Sequence, residues 1–286
     1  MRGGSIVMFL STGRCGTQWL AEGLRELHPE VEAEHEPIGP WYKPRRYFRR
    51  YADPEALLEV PAVARHVERI AGARGPYVET GWPLFPALPL FARRFGARLR
   101  IVHLTRHPVP SALSHLAHNS FAGSARDDAY TRWATLGPSD PGVFQEGYAA
   151  SWPRRSPYEK CLFWWTEGHM YGLELVDRLR AIPLIRVRAE DMLAGEREEI
   201  ERLLDFVELP WRAGWTTRAE RVVDRWHHHT DVHVDPLRVL EHPATVQTAM
   251  KLGYDVVRLD VAALEARYRG VPDAGLDRIG RYAYPT

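Results

Sequence analysis

Ser5-Ile6-Val7-Met8-Phe9-Leu10-Ser11-Thr12-Gly13-Arg14-Cys15-Gly16-Thr17-Gln18-Trp19-Leu20 changes rhythm midway, and that change sets the fold. Ser5 to Leu10 is a β-branched and apolar run without alternation, which reads as a strand buried on both faces. Gly13 and Gly16 break the run, and from Thr17 the apolar residues fall at helical spacing through Trp19, Leu20, Leu24 and Leu27. Strand, glycine turn and helix open a βα unit. A second unit runs from Arg98 to Thr105, then through Pro108 into a helix over Ser111 to His118, a proline being well placed near a helix start. Further strands are predicted at Pro76 to Thr80 and Ile182 to Val187. Helices are predicted over Pro54 to Ala71, Leu84 to Phe95, Tyr158 to Leu179 and Glu196 to Val207. Such alternation implies an α/β chain, with helices covering both faces of a P-loop-like central parallel sheet.

The 286 residues carry 38 basic and 37 acidic side chains, a formal net charge of +1, with 45% hydrophobic and 26% charged residues. This is the composition of a globular chain with enough apolar material for a substantial core. With no linker, repeat or low-complexity tract, a single domain over residues 1–286 is expected. The charge balance argues against a nucleic-acid-coating protein. Cys15 and Cys161 are too few for a disulfide framework, which points to a reducing compartment. No secretory leader is visible, and no apolar stretch reaches the ~18–20 residues of a membrane span, so a cytoplasmic location is expected. Of the 38 basic residues only Lys43, Lys160 and Lys251 are lysines. Anion contacts therefore fall to arginine, whose guanidinium grips phosphate and sulfate in a bidentate way. Two irregular stretches, about 119–157 and 211–236, read as lid or substrate segments.

Two motifs carry chemistry. In Ser11-Thr12-Gly13-Arg14-Cys15-Gly16-Thr17 the glycines let backbone N–H groups turn toward an anion, and the following helix aims its positive end at the same place. The nucleotide-kinase pattern G-x-x-x-x-G-K-[ST] is absent, as is the dinucleotide fingerprint G-x-G-x-x-G. The second motif is Arg106, where the strand ends, with Ser114 eight residues on in the next helix. In a doubly wound sheet both groups lie at the carboxyl edge, beside the first loop.

Together these motifs resemble those of the sulfotransferases that use 3′-phosphoadenosine 5′-phosphosulfate (PAPS), in particular carbohydrate-type and bacterial members. The family's first loop, roughly P-K-S-G-T-T-W, is matched by Gly13-Arg14-Cys15-Gly16-Thr17-Gln18-Trp19, and its arginine–serine pair by Arg106 and Ser114. Tyr158-Glu159 with Trp164-Trp165 resembles a Y-E-x-x-x-x-W-W helix. Arg188-Ala189-Glu190-Asp191-Met192 resembles [RF]-Y-E-D-[LM], and Leu252-Gly253-Tyr254 a C-terminal L-G-Y. The resemblance implies sulfuryl transfer from PAPS to a hydroxyl acceptor (a sugar, a lipid, or a natural-product alcohol or phenol) with release of adenosine 3′,5′-bisphosphate and no metal. It implies that Arg14, Cys15, Gly16, Thr17 and Gln18 hold the 5′-phosphosulfate and that Trp19 stacks near the adenine. Arg106, Ser114 and Tyr158 would then hold the 3′-phosphate, and Arg14, in place of the usual lysine, would stabilise charge on the bridging oxygen.

Some positions depart from the pattern. Many members place a catalytic histidine in K-T-H-L-P, where this chain has Glu79-Thr80-Gly81-Trp82-Pro83. Gly81 cannot accept a proton. His28-Pro29-Glu30-Val31 with His35-Glu36-Pro37 resembles the H-P-x-V…F-E-P stretch of carbohydrate-type members, which makes Glu36 the first candidate for the base and His35 the second, against a plain solvated acidic loop. Arg218, Arg221 and Arg225 are the candidates for a further 3′-phosphate contact. Trp41 and Trp82 flank the expected acceptor region and would line it. His227-His228-His229 with Asp231 and His233 fits no common zinc spacing and reads as a loop at the active-site mouth. The basic stretch from Lys43 to Arg50 reads as a solvated helix face. Two rivals are a P-loop small-molecule kinase and a sulfotransferase-like nucleotide-binding protein without catalysis.

Overall fold

A computed structural model of the chain describes residues 4–118, 120–121, 134–219 and 234–268. Five strands, β1 (Ile6–Leu10), β2 (Glu32–His35), β3 (Tyr77–Thr80), β4 (Leu99–Thr105) and β5 (Leu184–Arg188), form one sheet in the order β2-β3-β1-β4-β5. All four pairings are parallel. Among the described residues the α-helices of eight residues or more are α1 (Thr17–Leu27), α2 (Pro61–Ala71), α3 (Leu88–Phe95), α4 (Pro108–Ala117), α5 (Pro157–Arg178), α6 (Arg197–Phe206), α7 (Pro243–Lys251) and α8 (Val261–Tyr268).

The central strand explains the unbroken apolar run. Ile6, Met8 and Leu10 enter a core built with α2, α3, α4 and α5, whereas Val7 and Phe9 enter a second core with α1 and α6. A strand covered on both faces has no polar side to show. The chain leaves β1 toward β2 on one side and leaves β4 toward β5 on the other. The carboxyl ends of β1 and β4 therefore flank the topological switch point, where open α/β sheets bind ligands.

The stretch with the solvated-loop alternative contains an edge strand instead. Val31 and Ala33 are buried in the α1 core, and Arg69 of α2 bridges Glu32 and Glu34 on the opposite face. Acidic side chains on a short outer strand also discourage edge pairing. The basic stretch from Lys43 is also not a simple solvated face. Only Pro44–Tyr47 is helical, Tyr42, Tyr47 and Phe48 are buried, and Arg45 and Arg49 pair with Asp140 and Glu174. Within the expected lid segment the described residues include a 3₁₀ stretch, Glu146–Arg154, whose Trp152 packs 5.0 Å from the Phe163 ring.

Candidate active site

The loop after β1 turns through left-handed backbone at Gly13 (φ 83°), Arg14 (φ 58°) and Gly16 (φ 79°). Glycine adopts that region freely. Arg14 does not, so its neighbours must hold it there. They do so from two sides. Arg14 Nε donates to Ser114 Oγ of α4 at 3.0 Å, and Arg106 Nη1, at the end of β4, donates to the Arg14 carbonyl at 2.6 Å. The loop and the β4–α4 turn thus form one constellation in which two guanidinium groups and a hydroxyl converge. Helix α1 starts at Thr17 with no side-chain cap, so the amides of its first turn and the positive end of its dipole face this place. Cys15 lies inside the loop wholly buried. Its Sγ donates to the Gly13 carbonyl at 3.0 Å, and burial pushes the thiol up to about 12, so it is a packing group and no nucleophile.

The acidic arm lies across the loop at the ends of β2 and β3. Glu36 has a left-handed backbone (φ 47°), and its N–H donates to the Thr80 carbonyl at 3.0 Å. Its carboxylate stands 3.8 Å from His35 Nε2. Gly81 explains how it fits: a Cβ there would stand 2.5 Å from Glu36 Cγ. Thr80 joins this arm to the loop, its Oγ1 donating to the Thr17 carbonyl at 2.9 Å. His35 Nδ1 lies 3.2 Å from the same hydroxyl, so the ring is held between Thr80 and Glu36.

The other predicted residues are placed as follows. Gln18 Nε2 donates to Glu22 at 3.1 Å. The half-buried Trp19 packs 5.6 Å from Trp215, and the Arg218 guanidinium lies 5.5 Å over its ring. Arg218 is engaged with the Trp19 carbonyl, Glu22 and Glu26. Tyr158 is buried and donates to the Pro236 carbonyl at 3.1 Å. Trp82 is buried beneath the loop, edge-on to Trp164 at 5.1 Å, while Trp41 is half-buried against the same core. Arg221, Arg225, the histidine run 227–229, Asp231 and His233 lie outside the described residues. Among the described residues, no three His, Cys, Asp or Glu side chains gather as a metal site would require. No helix among them is long and apolar enough to cross a membrane.

Several residues with no assigned role in the sequence also converge here. Glu190 accepts the His107 N–H at 2.7 Å and the Tyr254 hydroxyl at 3.1 Å, and Tyr254 also meets Thr105 Oγ1 at 3.0 Å. The two segments that matched R-A-E-D-M and L-G-Y thus brace the end of β4 behind Arg106. Trp165 Nε1 adds a 2.9 Å bond to the Arg106 carbonyl. Their motifs were the available signal, but nothing in the sequence tells that they meet.

No protein-family model and no curated protein sequence matches the chain. Among solved structures it is similar to the sulfotransferase domain of the Synechococcus PCC 7002 olefin synthase, with 16% identity and a TM-score of 0.49 over 89% of this chain and 97% of that one. It is similar to the sulfotransferase from Alicyclobacillus acidocaldarius at 14% identity and a TM-score of 0.47, again over 89% and 97%. Mouse sulfotransferase SULT7A1, solved in complex with PAP, aligns over 93% of this chain and 89% of its own at 11% identity and a TM-score of 0.43.

Proposed function

We propose that the chain transfers a sulfuryl group from PAPS to the hydroxyl of a small-molecule or carbohydrate acceptor (a sugar, a lipid, or a natural-product alcohol or phenol). The observation that carries this is the convergence of Arg14, Ser114 and Arg106 on an uncapped helix N-terminus at the switch point, with a carboxylate at the end of the second strand. Such a place suits a ligand with several anionic groups. Arg106 and Ser114 would receive a phosphate. Arg14 and the amides from Cys15 to Thr17 would surround the group in transit.

In the reaction the acceptor oxygen attacks sulfur, a new S–O bond forms, and the S–O bond to the nucleotide phosphate breaks. Glu36 takes the acceptor's hydroxyl proton as that oxygen attacks. Arg14 and the loop amides stabilise the negative charge left on the departing oxygen, a donor so aimed being worth about 3–4 kcal/mol. The half-exposed Glu36 carboxylate is held beside His35, which suits it to accept a proton from outside the fold. The Cys15 thiol takes no part because it stays protonated.

The test compares melting temperatures with adenosine 3′,5′-bisphosphate and with ATP, then follows labelled sulfate from PAPS into an acceptor panel. The bisphosphate should stabilise the fold by about 2.7 kcal/mol at a concentration of ~100 Kd, and ATP less. Arg14→Ala should fold and lose transfer. Stabilisation by ATP alone would turn the assignment to a kinase. Bisphosphate binding without transfer to any acceptor would turn it to a non-catalytic binding protein.

A further inference from the structure

The loop that the proposed function depends on contains a peptide whose orientation is fixed from below. The Thr12 carbonyl accepts two hydrogen bonds, from Trp164 Nε1 of α5 at 2.8 Å and from His115 Nε2 of α4 at 3.0 Å. A carbonyl only accepts, so His115 carries its proton on Nε2. Burial first, and then the charges of Arg14 and His118, push His115 down to about 3, so the ring is a neutral donor. On the other side of the same peptide, the Gly13 N–H donates to Ser11 Oγ at 3.3 Å. The Thr12 side chain is pinned as well. Its Oγ1 lies 3.5 Å from His169 Nε2, and α5 passes so close that a Cβ at Gly168 would stand 2.5 Å from Thr12 Cγ2.

This matters because the two residues that follow are both left-handed, and one of them is Arg14. Strain of that kind persists only where the surroundings over-determine the backbone. A flipped Thr12–Gly13 peptide would turn a carbonyl oxygen, a negative dipole end, into the anion cradle, and would break both donor contacts from α4 and α5. Gly13 has no room to relax sideways, since a Cβ there would already stand 3.1 Å from Trp82 Cδ1 and 3.3 Å from His115 Cε1.

We propose that Trp164 and His115 are positioning residues. Together they clamp the Thr12 carbonyl inward, and so keep Gly13 and Arg14 in the one backbone state that presents the loop to the nucleotide's anionic groups. The proposal rests on the nucleotide reading for its ligand, but the clamp itself is a property of the loop's own backbone. It is tested by calorimetric titration with adenosine 3′,5′-bisphosphate, paired with amide NMR of Gly13 and Arg14 without ligand.

Trp164→Phe keeps a ring against Trp82 but loses the N–H. His115→Leu loses its donor, and His115→Gln restores one at nearly the same reach. Tyr171→Phe is the control. It removes a buried donor of α5 whose bond, 3.0 Å to the Phe85 carbonyl, touches neither Thr12, Gly13 nor Arg14. Trp164→Phe and His115→Leu should each weaken bisphosphate binding about tenfold, the equivalent of one hydrogen bond, and should shift the Gly13 and Arg14 signals. His115→Gln should bind within about threefold of the parent, because its amide again donates to the carbonyl. Tyr171→Phe should lower the melting temperature and change neither readout. Unmoved loop signals in Trp164→Phe and His115→Leu would overturn the clamp, however tightly the parent binds. A parent that binds no bisphosphate, with loop signals that still move in the two variants, would refute the nucleotide reading and uphold the clamp. If Trp164→Phe fails to fold, the two His115 variants carry the same comparison.

Discussion

Glu36 and Gly81 depend on each other at the scale of single atoms. The carboxylate arm crosses the space that any side chain at position 81 would need, with only 2.5 Å between Glu36 Cγ and an added Cβ. Gly81 also has φ 141°, a backbone state that a side chain would strain. Glu36→Gln should lower turnover by ~100-fold or more, the usual contribution of a positioned base, while bisphosphate affinity stays near the parent value. Gly81→Ala should push Glu36 aside and lower turnover in the same direction, again without weakening the nucleotide. Turnover with labelled PAPS and calorimetry with the bisphosphate separate these effects. Near-normal turnover in Glu36→Gln together with an inactive His35→Ala would move the base to His35. The juxtaposition of Arg14, Arg106 and Ser114 was legible in the sequence, because Arg14 lies in the turn after β1, Arg106 follows β4 and Ser114 comes eight residues later in α4. The backbone partners were not. No residue type marks a carbonyl such as that of Thr12 as an acceptor for Trp164 and His115.

At the scale of elements, α5 is the piece on which the loop rests. It begins with a capping box, Ser156 accepting from the Glu159 N–H and Glu159 from the Ser156 N–H, and it passes Thr12 at Gly168. Gly168→Leu should therefore destabilise the fold by about 1–3 kcal/mol through overpacking, read as a lower urea midpoint at unchanged m-value. It should also displace Thr12 and weaken bisphosphate binding. A stable variant with parental affinity would show that α5 can yield without moving the loop. The elements that were legible are those that bury a continuous or periodic apolar surface. β1 is the clearest, followed by β4 and α5. β2 was hidden because Glu32-Ala33-Glu34-His35 offers only an alanine to the core, and its acidic residues are balanced by Arg69 from a helix distant in sequence. α7 was hidden for a related reason. Its buried residues are Thr245, Thr248 and Ala249, and Thr245 is held by a 2.8 Å hydroxyl contact with Thr166. Small and hydroxyl residues bury well against a partner helix but leave no hydrophobic rhythm to read.

At the scale of the whole molecule, three buried histidines among the described residues, His103, His115 and His169, stand behind the site and lower its stability in acid. His103 of β4 and His169 of α5 meet at 2.9 Å, wholly buried, with His169 Nε2 reaching Thr12. Burial, with the Arg186 charge beside it, pushes His103 down to about 3, and burial holds His169 well below its ordinary range. His115 is likewise held at about 3. In the unfolded chain each ring titrates near 6.5, so above that pH both states are neutral and the fold keeps its full stability. Below it the unfolded state binds protons that the folded state refuses, and stability falls until the folded values are reached. His103 and His115 together should remove about 3 kcal/mol between pH 6.5 and pH 5, the slope steepening as the unfolded rings take up protons. Glu167 works the other way, because burial raises its pKa and the folded state gains from its protonation. One carboxyl does not offset three imidazoles. Urea unfolding at pH 7.5, 6 and 5 should show a plateau and then a steep fall, and bisphosphate binding should fail with it because the same histidines stand behind Thr12. A flat stability across that range would mean that the histidines accept protons inside the fold, and that the core around the loop opens to water.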